Sequence, residues 1–493
     1  MTGLLRGEWT KFRTVRGWVL GMALAVLITV LLGVFTASGS HSSCSGPEGD
    51  VCPALPVGPE GLAVNDRFSF AHQPLAGDGS VTARVASLTG IITYPPPDHD
   101  KIVPGVVPWA KAGIMIKESV RPGSAYAAMM LTGGHGARMQ HNYEHDVAGS
   151  REARWLRLTR SGDTITGAES ADGTHWTTVS TVRLTGLQKN ALMGLFVASP
   201  CDLTVTQGDL GGTIGKCRLT QATAVFDHVS LAGNPWTYDD LGGHTGAPAL
   251  SQGTFRESGG TFTMSGSGDV GPYGIEGGQI VERTLSGAYT GLIVVIVVAV
   301  MFITAEYRRG LIRTTLLASP RRGRVLVAKS LVIGVVTFVV GLIAAVIAVP
   351  LCSRILRANG NQLLPVSTST ELRVVAGTAA LLAVAAVLAL AIGALIRRSA
   401  VAVITAIAVI VVPHVLTTAS VLPAELSQWL LRVTPAAAFA IQQSIPEYSQ
   451  VEGHYVPQMG YYPLAPWAGF AVLCAYALLA LGLAVLLLRR RDA

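Results

Sequence analysis

The sequence predicts a multi-pass α-helical membrane protein with six transmembrane helices and an all-β sandwich between helices one and two. Three observations predict it. Apolar runs lie at about 17–38, 288–305, 325–351, 372–396, 399–418 and 464–488, each near the ~20 residues that cross a bilayer core. Between the first two runs lies a long stretch rich in Gly, Thr and Ser, with turn signals every ten or so residues. The composition, 50% hydrophobic and 14% charged with mean hydropathy +0.46, is that of an integral membrane protein.

Residues 1–16 mix Arg6, Lys11 and Arg13 with Trp9 and Phe12, which suits a short helix lying at the inner membrane face. Helix one (17–38) is about twice as long as a signal-peptide core and ends in a weak cleavage site, Thr36-Ala37-Ser38; it is read as retained. Residues 39–60 read as a stalk, 61–233 as the sandwich, 234–287 as a further β segment and linker, 288–488 as helices two to six, and 489–493 as a tail. The basic residues before helix one, between helices two and three (Arg308 to Lys329), at Arg397-Arg398 and after helix six (Arg489 to Arg491) fall on one side under a six-span count. That side is expected to be cytoplasmic, with both termini there, at the plasma membrane. Sixteen bases in these segments face only Glu8, Glu306 and Asp492, whereas the whole chain carries +7. The basic charge is therefore a topology signal, and no basic, aromatic-interleaved patch points to nucleic acid.

Cys44, Cys52, Cys201 and Cys217 all fall in the segment expected outside the cytoplasm, where disulfides form. Of the three connectivities that four cysteines allow, nearest-neighbour pairing, Cys44–Cys52 and Cys201–Cys217, is the expected one.

Within the exposed segment, Ser80–Val85 and Trp155–Arg160 alternate with period two, and Gly162-Asp163 and Asp172-Gly173 mark turns, the pattern of an antiparallel sandwich. The phrases DRFSFAHQPLAGDGSVTARV (66–85), WAKAGIMIKES (109–119), WLRLTRSGDTITGAESADGTHWTTV (155–179) and FDHVSLAG (226–233) resemble a concanavalin A-like, laminin-G-like jelly-roll module, of lectin/glucanase fold. GTFTMSGSGDVGP (260–272) resembles the opening strand of such a module placed at its end, as in a circular rearrangement where this strand pairs back onto the sandwich. Related glucanases carry an E-x-D-x-(x)-E strand, but Glu144-His145-Asp146 is followed by Val147-Ala148-Gly149, so hydrolysis is not expected. The resemblance implies sugar or polymer binding instead, through exposed aromatics such as Trp109, Tyr126 or Tyr143; core packing is the alternative for each.

Three motif matches carry little. His141-Asn142-Tyr143-Glu144-His145 fits H-x-x-E-H, but that chemistry needs a helix, and this stretch reads as a strand with His141, Tyr143 and His145 on one face. No metal site is assigned. Gly266–Gly271 fits G-x-G-x-x-G with no helix following. Gly215-Lys216-Cys217 faintly resembles a P-loop, but Leu210 and Cys217 stand where it needs Gly and Ser or Thr; no Walker A sequence occurs, so ATP is not expected to bind this chain directly.

GEWTKFRTVRGW (7–18) resembles the start of actinobacterial ABC-2-type permeases. Glu306-Tyr307-Arg308-Arg309-Gly310, then Leu316-Leu317, Pro320-Arg321-Arg322 and Lys329, resembles the cytoplasmic coupling helix that docks on the ATPase subunit of those permeases. Trp429–Ala437 resembles the outer-face helix before their last span. The resemblance covers 1–38 and 288–491. It implies the permease subunit of an ATP-binding cassette transporter, an exporter rather than an enzyme, with ATP hydrolysed on a separate ATPase chain. Glu306, Tyr307, Arg308, Gly310, Leu317, Pro320 and Arg322 would make the ATPase contact. Expected partners are that ATPase, a second permease chain in a homodimer or heterodimer, membrane lipid, and a cell-wall or extracellular glycan. The alternative is a membrane-anchored glycan-binding receptor or adhesin without transport. His414, after Pro413, is expected near the outer interface.

Overall fold

The computed structural model describes residues 2–43, 54–94, 101–185, 187–207, 213–231, 235–241, 252–308, 322–419, 421–453 and 455–490. The helices are α1 (Thr2–Thr14), α2 (Arg16–Ser38), α3 (Ala288–Arg308), α4 (Arg322–Ala358), α5 (Thr368–Ile396), α6 (Ser399–Ile410), α7 (Val412–Thr418), α8 (Ala424–Val433) and α9 (Pro466–Arg490). Six helical stretches are long and apolar enough to cross a membrane: α2, α3, α4, α5, the α6–α7 pair and α9.

Local chemistry sets these limits. α5 starts at Ser367, whose hydroxyl accepts the Thr370 N–H, and ends where Arg397 turns left-handed at φ 61°, satisfying otherwise open backbone groups. α4 runs 37 residues with Pro350 inside it. It outlasts the apolar run because flanking residues such as Arg354 and Arg357 are good helix formers. At about 1.5 Å per residue it is far longer than a ~30 Å hydrocarbon core. The fifth span is interrupted at Val411, just before Pro413, as a residue lacking its N–H dictates. α5 is the most buried of these six candidate spans and presents small residues to its neighbours, among them Ala379, Ala385, Ala389 and Gly393. A Cβ on Gly393 would lie 2.8 Å from Ile303; small side chains are what let helices pack closely in lipid.

Among the described residues between α2 and α3 lie eighteen strands: β1 (Val64–Asp66), β2 (Phe68–Ala76), β3 (Gly79–Thr93), β4 (Ile102–Pro104), β5 (Lys111–Lys117), β6 (Tyr126–Thr132), β7 (Ala137–His141), β8 (His145–Ala148), β9 (Trp155–Ser161), β10 (Thr164–Ser170), β11 (Thr177–Arg183), β12 (Asn190–Ala198), β13 (Asp202–Gln207), β14 (Thr213–Asp227), β15 (Thr237–Leu241), β16 (Thr254–Ser258), β17 (Thr261–Gly266) and β18 (Val270–Pro272). A nine-stranded sheet runs β11-β10-β9-β3-β14-β17-β16, with β4 on β3 and β13 on β14. A seven-stranded sheet runs β15-β2-β12-β5-β6-β7-β8, and β1 pairs with β18. The 260–272 phrase is thus integral to the fold: β17 pairs with β14, and β18 with β1.

The two sheets differ in how they are covered. Between them lies one core, with Val81, Leu156, Leu158, Ile165 and Phe226 from the nine-stranded sheet and Ile114, Met129 and Leu195 from the seven-stranded sheet. The seven-stranded sheet also buries its other face, through Phe68, Phe70, Met115, Met130 and Phe196. Its strands therefore read as unbroken apolar runs, such as YAAMMLT. Strands of the nine-stranded sheet alternate, as WLRLTRS does, because one face meets solvent. One expectation is corrected here. Residues 141–145 are not one strand but a tight hairpin, with Asn142 and Tyr143 left-handed at φ 48° and 72° and His141 paired across to His145.

Candidate functional site

At one end of the bundle, four charged side chains from three separate segments meet. Lys329 of α4, with no exposed surface, donates to Glu8 of α1 and, at 2.7 Å, to Oε1 of Glu306 on α3. Lys11 of α1 donates to Glu8 at 2.9 Å and to Glu306 at 3.1 Å. Burial works against the Lys11 charge, but the two carboxylates more than offset it and raise its pKa. Helical spacing explains why α1 reaches in: Glu8 and Phe12, four residues apart, share its buried face. Phe12 and Trp18 pack edge-on against Phe302 at 5.7 and 5.0 Å, and the Lys329 ammonium lies 4.5 Å from the Phe302 ring, a cation–π contact. Buried charges in a bundle need such pairing. Oε2 of Glu306 is buried with no hydrogen-bond partner among the described residues.

The residues expected to form one ATPase contact are not brought together as one surface. Glu306 is buried in the cluster above, because its cationic partners arrive from α1 and α4. Tyr307 is partly buried, with the Arg397 guanidinium 5.1 Å from its ring. Arg308 is exposed at the end of α3, and Arg322 opens α4. Gly310, Leu317 and Pro320 lie outside the described residues. What the sequence reading missed is the set Glu8, Lys11 and Lys329. The available signal was an ionisable residue, Lys329, inside an otherwise apolar run.

In the sandwich, the expected binding aromatics are not exposed. Tyr126 and Tyr143 have no accessible surface and Trp109 only 5%. The tyrosines meet edge to face at 4.8 Å around the buried Lys117. That lysine donates to Asp66 and Tyr143 Oη, both at 2.9 Å, and to the Ser124 carbonyl at 3.1 Å. Burial lowers the Lys117 pKa, and Asp66 opposes the fall. Trp109 stacks on His135 at 4.1 Å. The outer face of this sheet is apolar and sealed by other parts of the chain, so its aromatics are core residues.

Tyr143, in its strained left-handed conformation, also marks a junction. Gln450 donates its side-chain N–H to the carbonyls of Glu144 at 2.8 Å and Tyr143 at 3.4 Å. Nearby, Ser444 donates to Glu282 through its backbone N–H at 2.9 Å and through its hydroxyl at 2.5 Å. Burial pushes the Glu282 carboxyl up to about 7, against the Ser444 hydrogen bonds and the charge of Arg373. The junction thus ties the 141–145 hairpin and the segment before α3 to the loop before α9. The Cys201–Cys217 disulfide joins β13 to β14; Cys44 and Cys52 lie outside the described residues. His141 and His145 stack at 4.4 Å; among the described residues no group of three or more His, Cys, Asp or Glu side chains is placed to hold a metal ion. His414 is packed inside the protein. It is 3% exposed, lies 4.4 Å from Tyr289 and 4.1 Å from Phe439, and its Nδ1 has no partner among the described residues.

A family profile described as "ABC-2 family transporter protein" matches residues 162–493, more than half of the chain. No curated protein matches it. Among solved structures, a chain described as a functionally unknown protein from Saccharomyces cerevisiae is similar at 16% identity over 39% of this chain and 84% of that one. Its TM-score of 0.20 is too low to carry an argument.

Proposed function

Because this chain belongs to the ABC-2 transporter family, we propose that it is the membrane subunit of an ATP-driven exporter that works with a separately encoded ATPase. The observation that carries this reading is the four-residue ionic cluster. It sits where α3 ends and α4 begins, at the root of the 306–324 stretch whose sequence resembles a coupling helix. A push delivered to that segment would meet α3, α4 and α1 locked together, so it would move them as one body. Such rigid-body displacement is how packed elements pass on small local shifts.

In this reading the exposed Arg308 and the 309–322 segment face the ATPase, while Glu306 holds the segment's root in place. The basic ends of the spans face the cytoplasm, and the sandwich lies outside as a lectin-like module that captures a glycan, substrate or partner. Two membrane subunits, as a homodimer or heterodimer, would pair with two ATPases. The test is co-expression of the full chain with candidate P-loop ATPases from the same genome. Co-purification, with hydrolysis stimulated over the ATPase alone, is the expected result. A chain that purifies intact with no ATPase, and adds nothing to hydrolysis, would overturn the reading.

A further inference from the structure

With Trp109, Tyr126 and Tyr143 buried, the sandwich needs another face to hold a ligand. The outer face of the seven-stranded sheet is closed. The nine-stranded sheet leaves its outer face open, and on it three successive rows of side chains line up across β10, β9 and β3.

The first row is hydroxyl-bearing. Thr181, Thr166, Thr159 and Ser80 sit in register across four strands. The Thr166 and Thr181 hydroxyls are 3.2 Å apart, and those of Ser80 and Thr159 are 3.0 Å apart. Their strand neighbours Val81, Leu158 and Ile165 point into the core, so period-two alternation fixes these hydroxyls outward. The second row holds Arg157 and Thr82. Arg157 Nε donates to the Thr82 hydroxyl at 3.1 Å, and its guanidinium carbon lies 3.7 Å from the centre of the Trp176 ring. Trp176 is itself held by its indole N–H, which donates to the Gly173 carbonyl at 3.1 Å. The third row is Arg84 beside Trp155. Arg84 is neutralised by Asp227 through Nε at 2.7 Å and through Nη2, and its guanidinium lies 5.8 Å from Trp155. Gly173, at φ +80°, lets the 171–176 turn lie on Trp155: a Cβ there would sit 2.7 Å from the indole. Both indoles are half-exposed.

Arg157 differs from Arg84 in one respect. Among the described residues it has no carboxylate partner, and of its forked N–H donors only Nε is engaged, by Thr82. A half-exposed indole, a guanidinium open to a carboxylate and a flat row of hydroxyls together match a pyranose ring that carries an acidic group. An apolar patch of the sugar would pack on the part of the Trp176 indole that Arg157 leaves exposed, its hydroxyls would exchange hydrogen bonds with the Thr row, and its carboxylate would take a charge-assisted bond from Arg157. We propose that this face binds an acidic polysaccharide. The proposal rests on reading the sandwich as a glycan-capture module, and it supplies the site and the ligand class.

The test uses the full chain in lipid nanodiscs, since sugar-headed detergents would compete. Binding of tetragalacturonate and of neutral maltotetraose is measured by calorimetry for wild type, Trp176→Ala and Arg157→Gln, with melting of each variant as a folding control. Wild type is expected to prefer tetragalacturonate. Trp176→Ala is expected to weaken that binding at least tenfold, and Arg157→Gln to abolish the preference for the acidic sugar, both with unchanged melting. Binding that both variants retain in full would overturn this site while leaving glycan capture standing. Equal binding of the two sugars by wild type would overturn the acidic class. No binding of either sugar by wild type would overturn both this proposal and the glycan reading beneath it.

Discussion

Two fully buried lysines solve the same problem differently. Lys117 in the sandwich and Lys329 in the bundle each have no exposed surface and each sit against carboxylate and aromatic groups. Lys117 satisfies its donors partly from backbone, through the Ser124 carbonyl, while Asp66 also takes the Gly123 N–H. Its cluster closes within one folded unit already fixed by strand register. Lys329 has side-chain partners, Glu8 and Glu306, which come from helices that share no hydrogen-bond ladder. A buried ion pair is a poor source of net stability, but removing one partner is severe. The Lys117 cluster therefore secures one domain, whereas the Lys329 cluster decides whether three separate helices move together.

The largest effect that sharpens this contrast is Lys329→Met, which leaves two buried carboxylates to share Lys11 alone. It is expected to cost about 5 kcal/mol and to raise hydrogen exchange throughout α1, while the sandwich keeps its exchange pattern. Lys117→Met strands Asp66, which retains the Gly123 N–H. A loss of about 3 kcal/mol is expected, read as a lower melting point of the sandwich alone, with α1 exchange unchanged. If either variant loosened both regions, the two clusters would not be independent. Cys201→Ser opens a loop of sequence separation 16 and is expected to cost up to about 3 kcal/mol, again confined to the sandwich.

The junction between the two regions yields a smaller, pH-dependent effect. Glu282 titrates near 7 rather than at its ordinary 4.5 because burial disfavours its charge. A carboxyl raised in the folded state adds most at acid pH. Its contribution falls as pH climbs from about 4.5 to 7 and is flat above that. Exchange of residues 281–285 and 443–445, corrected for the intrinsic rate, should therefore be slower at pH 5 than at pH 8. Glu282→Gln should remove the difference. A pH-independent junction in the wild type would show that Glu282 is not the group responsible. Smallest is Gln450→Ala, expected to cost about 1 kcal/mol and to raise exchange only in the 141–145 hairpin.

The six long apolar helical stretches among the described residues were legible because a run of ~20 apolar residues is a local signal, and the strands of the nine-stranded sheet because alternation is local too. Where the reading failed, the missing information was non-local. Glu306 looks like a surface residue of a basic loop until Lys11, 295 positions away, and Lys329 are known to reach it. Tyr126 sits on the outward face of its sheet with Tyr143 packed beside it, but nothing in their spacing tells that Val64 and Val270 cover that face. Trp176 follows a turn rather than standing in an alternating run, and only the 3.7 Å contact with Arg157 sets it apart. The 141–145 hairpin was hidden because a left-handed tyrosine has no sequence signature.

In the proposed mechanism Glu306 holds the root of the coupling segment while the ATPase meets Arg308 and Arg322. Parallel purification of the ATPase complex from Arg308→Glu/Arg322→Glu and from Glu306→Gln separates the two roles. The arginine variant is expected to lose the ATPase while its melting and α1 exchange stay unchanged. Glu306→Gln is expected to keep the ATPase bound, but with faster α1 exchange and hydrolysis no longer responsive to the membrane subunit. Full recovery of stimulated ATPase with the arginine variant, or unchanged α1 exchange in Glu306→Gln, would contradict the account.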